Sequence, residues 1–485
     1  MRLSDAASGE GLAIPLQEPV TPAGPDGLSR TRLLRGGLFF GVSQFAGMAL
    51  GFLSSMALFR VADKTAVASY TLLQQAIMAV GMILQLGLGA AALRYVPICR
   101  GRGGERATAL LRRRLFGIQI ALWAVVIPVL FLAWPAVARR LDAPELGRAT
   151  IFLVAAALLT SFGHLADNYL RSFRLYALSA SLMHLVPRAF ILGSFVFLLL
   201  RAPGHEPWEV LASIYLGSIL LSALGYALAL TATSAGEGSE PREALPPPTV
   251  REILGTSTAM GLRSAAAVLF VSSSLWVLSW ARPHEEVAVY AAAAALLQIM
   301  AAIPGIANYV IPQEFPALFA DGRKEDLEKL ARTAATLVAI LSLGSLAGLL
   351  LLGRPLIRLA YGDSYVGAWG LLLILAFGSF WDSASGAAGY ALQMTGHHVR
   401  LLWMTVAGAA LNIVLSLFLA PLWGGYGIAV ATTVTLILLN VANVRAARSL
   451  LGVRTFVYTR PDQWIRALRM VSESGWSPWK GNRKL

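Results

Sequence analysis

The residues best suited to chemistry in this sequence are arginines that stand inside apolar stretches. Arg263 lies near the middle of one such stretch, and Arg188 follows Pro187 in another. A guanidinium binds phosphate groups through charge-assisted, often bidentate hydrogen bonds, so both positions predict binding of an anion. The alternative is a structural arginine paired with a carbonyl or a carboxylate. For Arg188 that partner would be Asp167.

A polar stripe surrounds Arg263. Thr256, Met260, Ala267 and Ser274 recur around it at the spacing of one helix face. Counted from residue 253 at about 1.5 Å per residue, Arg263 lies about 15 Å into a hydrocarbon core that is about 30 Å thick. An ionised group at that depth costs about 2.5 to 3.5 kcal/mol on insertion scales, so it is expected to face a cavity or a partner.

Uncharged amides and one further arginine extend the set of candidate binding residues, which are Gln44, Gln85, Gln298, Asn308 and Arg94. Amides suit sugar hydroxyls, but they also join neighbouring helices in ordinary bundles. Arg94, at the inner end of its apolar stretch, could receive an anionic headgroup. Its side chain could equally extend to the membrane surface.

Two carboxylates are candidates for ion coupling. Asp382 is the most isolated acid within an apolar stretch, and Asp167 is the other. A buried carboxylate can take up a proton or coordinate sodium. Asp382 is also expected in the cytoplasmic half, where hydration or a hydrogen bond would explain it.

The elements that position these residues are membrane helices. Of 485 residues, 56% are apolar and 14% are charged, whereas soluble proteins carry about 25% charged residues. Runs of about 18 or more apolar residues cross the membrane as helices, because the backbone must be satisfied within lipid. We therefore predict an all-α polytopic membrane protein with twelve transmembrane helices, near 36–59, 66–93, 115–138, 149–170, 177–200, 210–233, 253–280, 287–312, 333–353, 365–394, 401–421 and 425–444.

Basic residues predict the orientation. If the N-terminus is cytoplasmic, 29 of the 40 Lys and Arg residues lie on the inner side, 9 lie outside and 2 lie within the membrane. The positive-inside rule then predicts that both termini are cytoplasmic. We expect the protein to lie in the cytoplasmic membrane.

The chain divides into five predicted regions. They are a disordered tail without a signal-peptide pattern (1–30), an N-terminal six-helix lobe (31–233), a proline-rich cytoplasmic linker (234–250), a C-terminal six-helix lobe (251–446) and a basic tail (447–485). In the last region Trp464, Leu468 and Val471 have helical spacing, which suits either an interfacial helix or a disordered segment.

The two lobes repeat each other in short phrases. Val67-Ala68-Ser69-Tyr70 and Val287-Ala288-Val289-Tyr290 begin the second and eighth predicted helices, and each helix ends near a Tyr-Val-Pro or Tyr-Val-Ile-Pro phrase. Six helices per lobe keep both repeats in the same orientation. Such a repeat predicts a two-lobed transporter with a site between the lobes.

Several longer phrases resemble the polysaccharide (Wzx-type) flippase family of the multidrug/oligosaccharidyl-lipid/polysaccharide exporter superfamily over nearly all of residues 30–455. They are Leu58-Phe59-Arg60, Leu86-Gly87-Leu88-Gly89-Ala90 with Arg94-Tyr95, Gly353-Arg354-Pro355-Leu356-Ile357, Tyr361-Gly362-Asp363-Ser364-Tyr365, and the segment from Pro421 to Thr432. The resemblance implies two six-helix bundles around a central cavity that opens alternately to the two sides. It also implies an oligosaccharide cargo on a polyprenyl pyrophosphate, for polysaccharide polymerisation or export.

Other functions fit the residues less well. A cation-coupled drug antiporter of the same superfamily would place carboxylates on the cavity helices, and a peptidoglycan-precursor flippase has two further helices. A membrane glycosyltransferase would need a large extramembrane loop and acid, base or metal-binding residues. We expect a transporter that is not an enzyme, with no cofactor or metal, no nucleic-acid partner, and lipid-linked oligosaccharide, membrane lipids, H⁺ or Na⁺, and a polymerase or export machinery as candidate partners.

Overall fold

The protein is a bundle of long helices. The computed structural model describes residues 30–100, 104–140, 144–201, 206–233, 247–310, 315–460 and 462–464, and the side chains of 30–41, 104, 144–145, 259, 299, 301–310, 316–317 and 320 lie outside that description. The helices are α1 (Arg30–Val61), α2 (Lys64–Gln85), α3 (Leu88–Ile98), α4 (Gly104–Arg140), α5 (Pro144–Arg148), α6 (Thr150–Ser172), α7 (Tyr176–Ala180), a π-helical turn (Ser181–Leu185), α8 (Val186–Arg201), α9 (Trp208–Ala232), α10 (Val250–Ala281), α11 (His284–Val310), α12 (Phe315–Ala320), α13 (Lys324–Tyr361), a 3₁₀ turn (Asp363–Tyr365), α14 (Ala368–Ser385), α15 (Ala388–Met394), α16 (His398–Trp423) and α17 (Gly425–Leu451).

The all-helical fold class is confirmed for the described residues, where there is no strand. Eleven helices there are long and apolar enough to cross a membrane. The predicted run 287–312 falls on α11, which is not among those eleven. The count of twelve therefore remains a prediction.

The predicted second helix, 66–93, is two helices, so its continuity was a wrong prediction. α2 ends at Gln85, and Leu86 and Gly87 both adopt a positive φ (44° and 70°) before α3 begins. A Cβ at Gly87 would overlap the Ser257 carbonyl of α10. The break thus follows from a contact between helices distant in sequence, and no proline marks it.

The predicted tenth helix, 365–394, is also interrupted. α14 ends at Ser385, Gly386 has φ +68°, and α15 covers only seven residues. A positive φ favours glycine because a Cβ is strained there. This break changes which residues face Arg263.

Both halves contribute to one hydrophobic cluster. It joins residues of α1, α2 and α9 to residues of α10, α11, α13 and α14, among them Val61, Tyr70, Leu278 and Tyr361. The halves also touch along α2 and α3 on one side and α10 on the other. We call this contact the inter-lobe seam.

The predicted tails and linker are only partly within the described residues. Residues 1–29, 234–246 and 465–485 are outside them, so the N-terminal tail, most of the linker and most of the suggested interfacial helix are not described. Thr249 begins α10 with a capping box to Glu252. α17 continues past the predicted boundary at 446 to Leu451.

Candidate functional site

Arg263 is half-buried on α10, and its guanidinium is held by a neutral partner. Nη2 donates a hydrogen bond of 3.0 Å to Oε1 of Gln393 on α15. Tyr390 lies one turn before Gln393 on the same helix and is 40% exposed. A neutral acceptor orients the guanidinium without cancelling its charge, and the side chain has further N–H donors available for an anion.

The predicted polar stripe on α10 faces other protein helices. Thr256 Oγ1 lies 2.8 Å from Tyr95 Oη of α3, and Ser274 Oγ lies 3.1 Å from Thr432 Oγ1 of α17. Ala267, between them on this face, is exposed. The stripe therefore contacts α3 and α17 through Thr256 and Ser274 and is exposed at Ala267, with Arg263 near its middle.

A different face of α10 forms the seam. Gly261 stands two residues before Arg263, which is about 200° around the helix. A Cβ on Gly261 would overlap the backbone of Leu86 and Gly87. Nearer the C-terminal end of α10, Ser272 Oγ donates to Gln75 Oε1 of α2 over 2.8 Å. These contacts fix the rotation of α10, and hence the direction of Arg263.

The C-terminal ends of α1 and α13 also meet. Ser55 Oγ of α1 lies 3.2 Å from Tyr361 Oη at the end of α13. The Phe59 ring is 4.6 Å from the Tyr361 ring and 5.0 Å from the Tyr365 ring. Arg60 donates to the Leu359 carbonyl. The two halves of the chain are thus joined at the C-terminal end of α1 by an aromatic and polar contact.

Arg188 lies against α1. Its Nη1 would be 3.0 Å from a Cβ on Gly47, and its Nε would be 3.6 Å from a Cβ on Gly51. The two glycines, which are one helical turn apart, leave room for the guanidinium and for the π-helical turn that contains His184. This contact explains the spacing of small residues on α1.

Asp167 does not form the ion pair with Arg188 that was the structural alternative for that arginine. Its Oδ2 lies 2.9 Å from Nη2 of Arg171, one turn further along α6. Its Oδ1 accepts hydrogen bonds from Ser179 and, at 3.2 Å, from Tyr226. The i,i+4 spacing on α6 places Arg171 next to Asp167. The carboxylate is almost fully buried in this network.

The other candidate residues are dispersed. Arg94 is exposed in the C-terminal half of α3, with its guanidinium 5.4 Å from the Tyr95 ring centroid. Gln44 is half-buried and Gln298 is exposed, whereas Gln85 is buried beside Gly89. Asn308 lies on α11, but its side chain is outside the description.

Asp382 is hydrogen-bonded on α14. Its Oδ1 accepts a bond of 2.9 Å from Asn440 Nδ2 of α17. The structure therefore gives this acid a neutral hydrogen-bond partner, Asn440, which is not part of the Arg263–Gln393 pair. In the described residues, no group of three or more His, Cys, Asp or Glu side chains could hold a metal ion.

Gln393 and Tyr390 were missed by the sequence reasoning. Both stand at the end of the predicted run 365–394, where a continuous helix gave them no particular direction. The signal that could have found them is the Ser385-Gly386 step, since glycine commonly ends helices.

The described residues form a bundle with many helices long and apolar enough to cross a membrane. The profile of the family described as polysaccharide biosynthesis protein matches residues 33–320, and the chain belongs to that family. No curated protein matches the sequence significantly.

Solved structures share the fold at low identity. A multidrug resistance transporter of the MATE family, inward-facing, is 16% identical with a TM-score of 0.65, and the match covers 87% of this chain and 97% of that one. The lipid II flippase MurJ, inward closed, is 12% identical with a TM-score of 0.67 and coverages of 92% and 94%. A MOP superfamily transporter from Pyrococcus furiosus is 16% identical with a TM-score of 0.61, and the match covers 86% of this chain and 96% of that one.

Proposed function

We propose that the protein is a flippase that moves a polyprenyl-pyrophosphate-linked oligosaccharide across the cytoplasmic membrane by alternating access. The observation that carries this proposal is the half-buried Arg263, held by the neutral Gln393. Between their end turns, α1, α2, α3, α10 and α11 contain no Asp or Glu. A positive charge without carboxylates on these helices favours an anionic cargo.

Each candidate residue has a role in this proposal. Arg263 binds the pyrophosphate, Arg94 receives it at the cytoplasmic mouth, and the amides of Gln44, Gln298 and Asn308 bind sugar hydroxyls. Gln85 and Arg188 pack against helices of the N-terminal lobe and stabilise it. The polyprenyl tail stays in lipid while the lobes rock, with both termini in the cytoplasm and twelve spans in the membrane.

Asp382 and Asp167 are the proposed ion-coupling residues. Asp382 has the simpler environment, because Asn440 donates to it and can adapt to a protonated or sodium-bound carboxylate. Asp167 would have to release Arg171 first. The proposed partners are H⁺ or Na⁺, membrane lipids and a polysaccharide polymerase or export machinery.

The proposed cargo can be tested by binding. Purified native protein, Arg263→Gln and the surface control Arg460→Gln would be titrated with polyprenyl pyrophosphate and with the corresponding alcohol. A hydrogen bond to a charged group contributes about 1.5–3 kcal/mol, which is about 10- to 150-fold in affinity. We expect that loss only for Arg263→Gln with the pyrophosphate. Equal binding of pyrophosphate and alcohol by the native protein would contradict the proposal.

A cation-coupled antiporter is the second candidate function, and the half-buried, hydrogen-bonded Asp382 is the observation that favours it. Dye efflux from proteoliposomes under a proton or sodium gradient would identify it. Loss of that efflux in Asp382→Asn, with no movement of lipid-linked sugar by the native chain, would replace the flippase proposal.

A further inference from the structure

The chain after the last helix packs against the C-terminal lobe. Residues 453–458 follow α17 and lie between α13 and α14, and we call them the C-terminal strap. Val453 and Thr455 are fully buried in the strap. The Val457 N–H donates 3.0 Å to the Ala384 carbonyl of α14, and the Tyr458 N–H donates 3.2 Å to Thr336 Oγ1 of α13.

The strap meets the break between α14 and α15. The Ala384 carbonyl belongs to the last turn of α14, where carbonyls lack partners within the helix, so the Val457 bond caps it. A Cβ on Gly386 would lie 2.6 Å from the Thr455 carbonyl oxygen. The strap therefore occupies space that a glycine leaves at the point where the helix changes direction.

One set of α15 residues packs in a hydrophobic cluster that includes the strap, and another residue of α15 bonds Arg263. Ala388, Ala391 and Leu392 are buried in a cluster that includes Val453 of the strap. Gln393 bonds Arg263. With seven residues, α15 is too short to be stable as an isolated helix, because helices below about 12 residues are marginal. Its position depends on the elements that pack against it.

Two charged residues of α13 anchor the strap. Arg332 Nε donates to the Phe456 carbonyl over 3.2 Å, and its guanidinium lies 4.2 Å from the centroid of the Tyr458 ring. Glu328 Oε1 lies 3.4 Å from Arg332 Nη1, and its Oε2 accepts 3.0 Å from the Arg454 N–H. The strap is thus held by hydrogen bonds to α14 and α13 and by the charged pair Glu328–Arg332 of α13.

We propose that the C-terminal strap is a positioning element for the Arg263 site. It holds α15 at the Gly386 break, so that Gln393 reaches Arg263 and orients its guanidinium. Two experiments test this role: a labelling experiment, which we call the structural arm, and a transport experiment, which we call the transport arm. Only the transport arm rests on the proposed function.

The structural arm measures exposure of α15 without any cargo. In a Cys99→Ala background, Ala391→Cys places a thiol on α15 at a residue that is fully buried, so that labelling requires α15 to open. Val457→Pro removes the N–H that caps α14, and Thr459→Pro, at an exposed position just after the strap, is the matched control. We expect about tenfold faster labelling by a polar maleimide in Val457→Pro, equivalent to about 1.4 kcal/mol of local opening, and no change in the control.

Equal labelling rates in all three proteins would overturn the proposal. If Val457→Pro does not yield a folded protein, Arg332→Gln loosens the strap from the α13 side and has the same expected direction. A rate unchanged by Arg332→Gln would then overturn it.

The transport arm distinguishes positioning from general destabilisation. Gln393→Ala and Val457→Pro should each slow movement of the lipid-linked sugar, and adding Val457→Pro to Gln393→Ala should slow it less than twofold further, because both act through one contact. Losses that multiply would overturn the positioning role. If the native chain moves no such lipid, the proposed function fails, and the labelling arm alone decides whether the strap holds α15.

Discussion

Close contact of two glycines at the inter-lobe seam leads to a sharp prediction for Gly261→Ala. A Cβ on Gly261 would overlap the Leu86 carbonyl carbon and the Gly87 nitrogen, which are backbone atoms and cannot rotate away. Ordinary Cβ contacts are 3.4–4 Å, so α10 must separate from the α2–α3 break by about 1 Å. Overpacking of this kind costs about 1–3 kcal/mol.

Gly255→Ala is the matched control. Gly255 is on the same helix, and a Cβ there would meet nothing within 4 Å. Alanine in place of an exposed helical glycine stabilises by about 0.5–1 kcal/mol. The two substitutions are therefore expected to change stability in opposite directions.

The assay is thermal unfolding of the purified protein in one detergent, combined with transport by the reconstituted protein. We expect Gly261→Ala to unfold at a lower temperature than the native chain and to transport more slowly, and Gly255→Ala to match or exceed native stability. If Gly261→Ala were as stable and active as Gly255→Ala, the backbone contact at the seam would be refuted.

Three further substitutions test other contacts. Tyr361→Phe removes the hydroxyl next to Ser55, so the contact between the ends of α1 and α13 should weaken by about 0.5–1.5 kcal/mol and thiol labelling of a cysteine placed there should speed up. Asp167→Ala leaves Arg171 without its carboxylate. Breaking a buried ion pair costs about 3–5 kcal/mol of stability, and because Arg171 is partly exposed, we expect a loss of stability near or below the lower end of that range in thermal unfolding. Unchanged stability would contradict the account. Thr249→Ala removes the N-cap of α10 and should cost about 1 kcal/mol, measured as faster hydrogen exchange in its first turn.

The sequence predicted the helices well because their signal is local. Long apolar runs such as 210–233 and 401–421 correspond closely to α9 and α16, since spanning lipid requires length and apolarity in one continuous segment. The basic and proline-containing connections between them are equally local features.

The breaks at Leu86-Gly87 and at Gly386 could not be predicted in the same way. Each depends on backbone packing against a distant segment, namely Ser257 of α10 and Thr455 of the strap. Glycine alone does not mark such a place, because Gly117 and Gly344 stand within continuous helices.

The candidate site shows the same limit. Arg263 stands out in the sequence because a charge in a membrane helix is costly. Its partner Gln393 does not stand out, because an amide near the end of an apolar run has many ordinary explanations. Pairing of Asp167 with Arg171 in place of Arg188 was likewise decided by geometry within one helix.

The central claim is that Arg263 carries the charge that binds and moves an anionic lipid headgroup. The most direct measurement is translocation of a labelled polyprenyl-pyrophosphate oligosaccharide in proteoliposomes by the native chain, Arg263→Ala and Arg263→Lys, at equal insertion and matched thermal stability. The account predicts transport by the native chain, partial transport by the lysine variant and little by the alanine variant. Native rates in Arg263→Ala, or no transport of this lipid by the native chain, would contradict it.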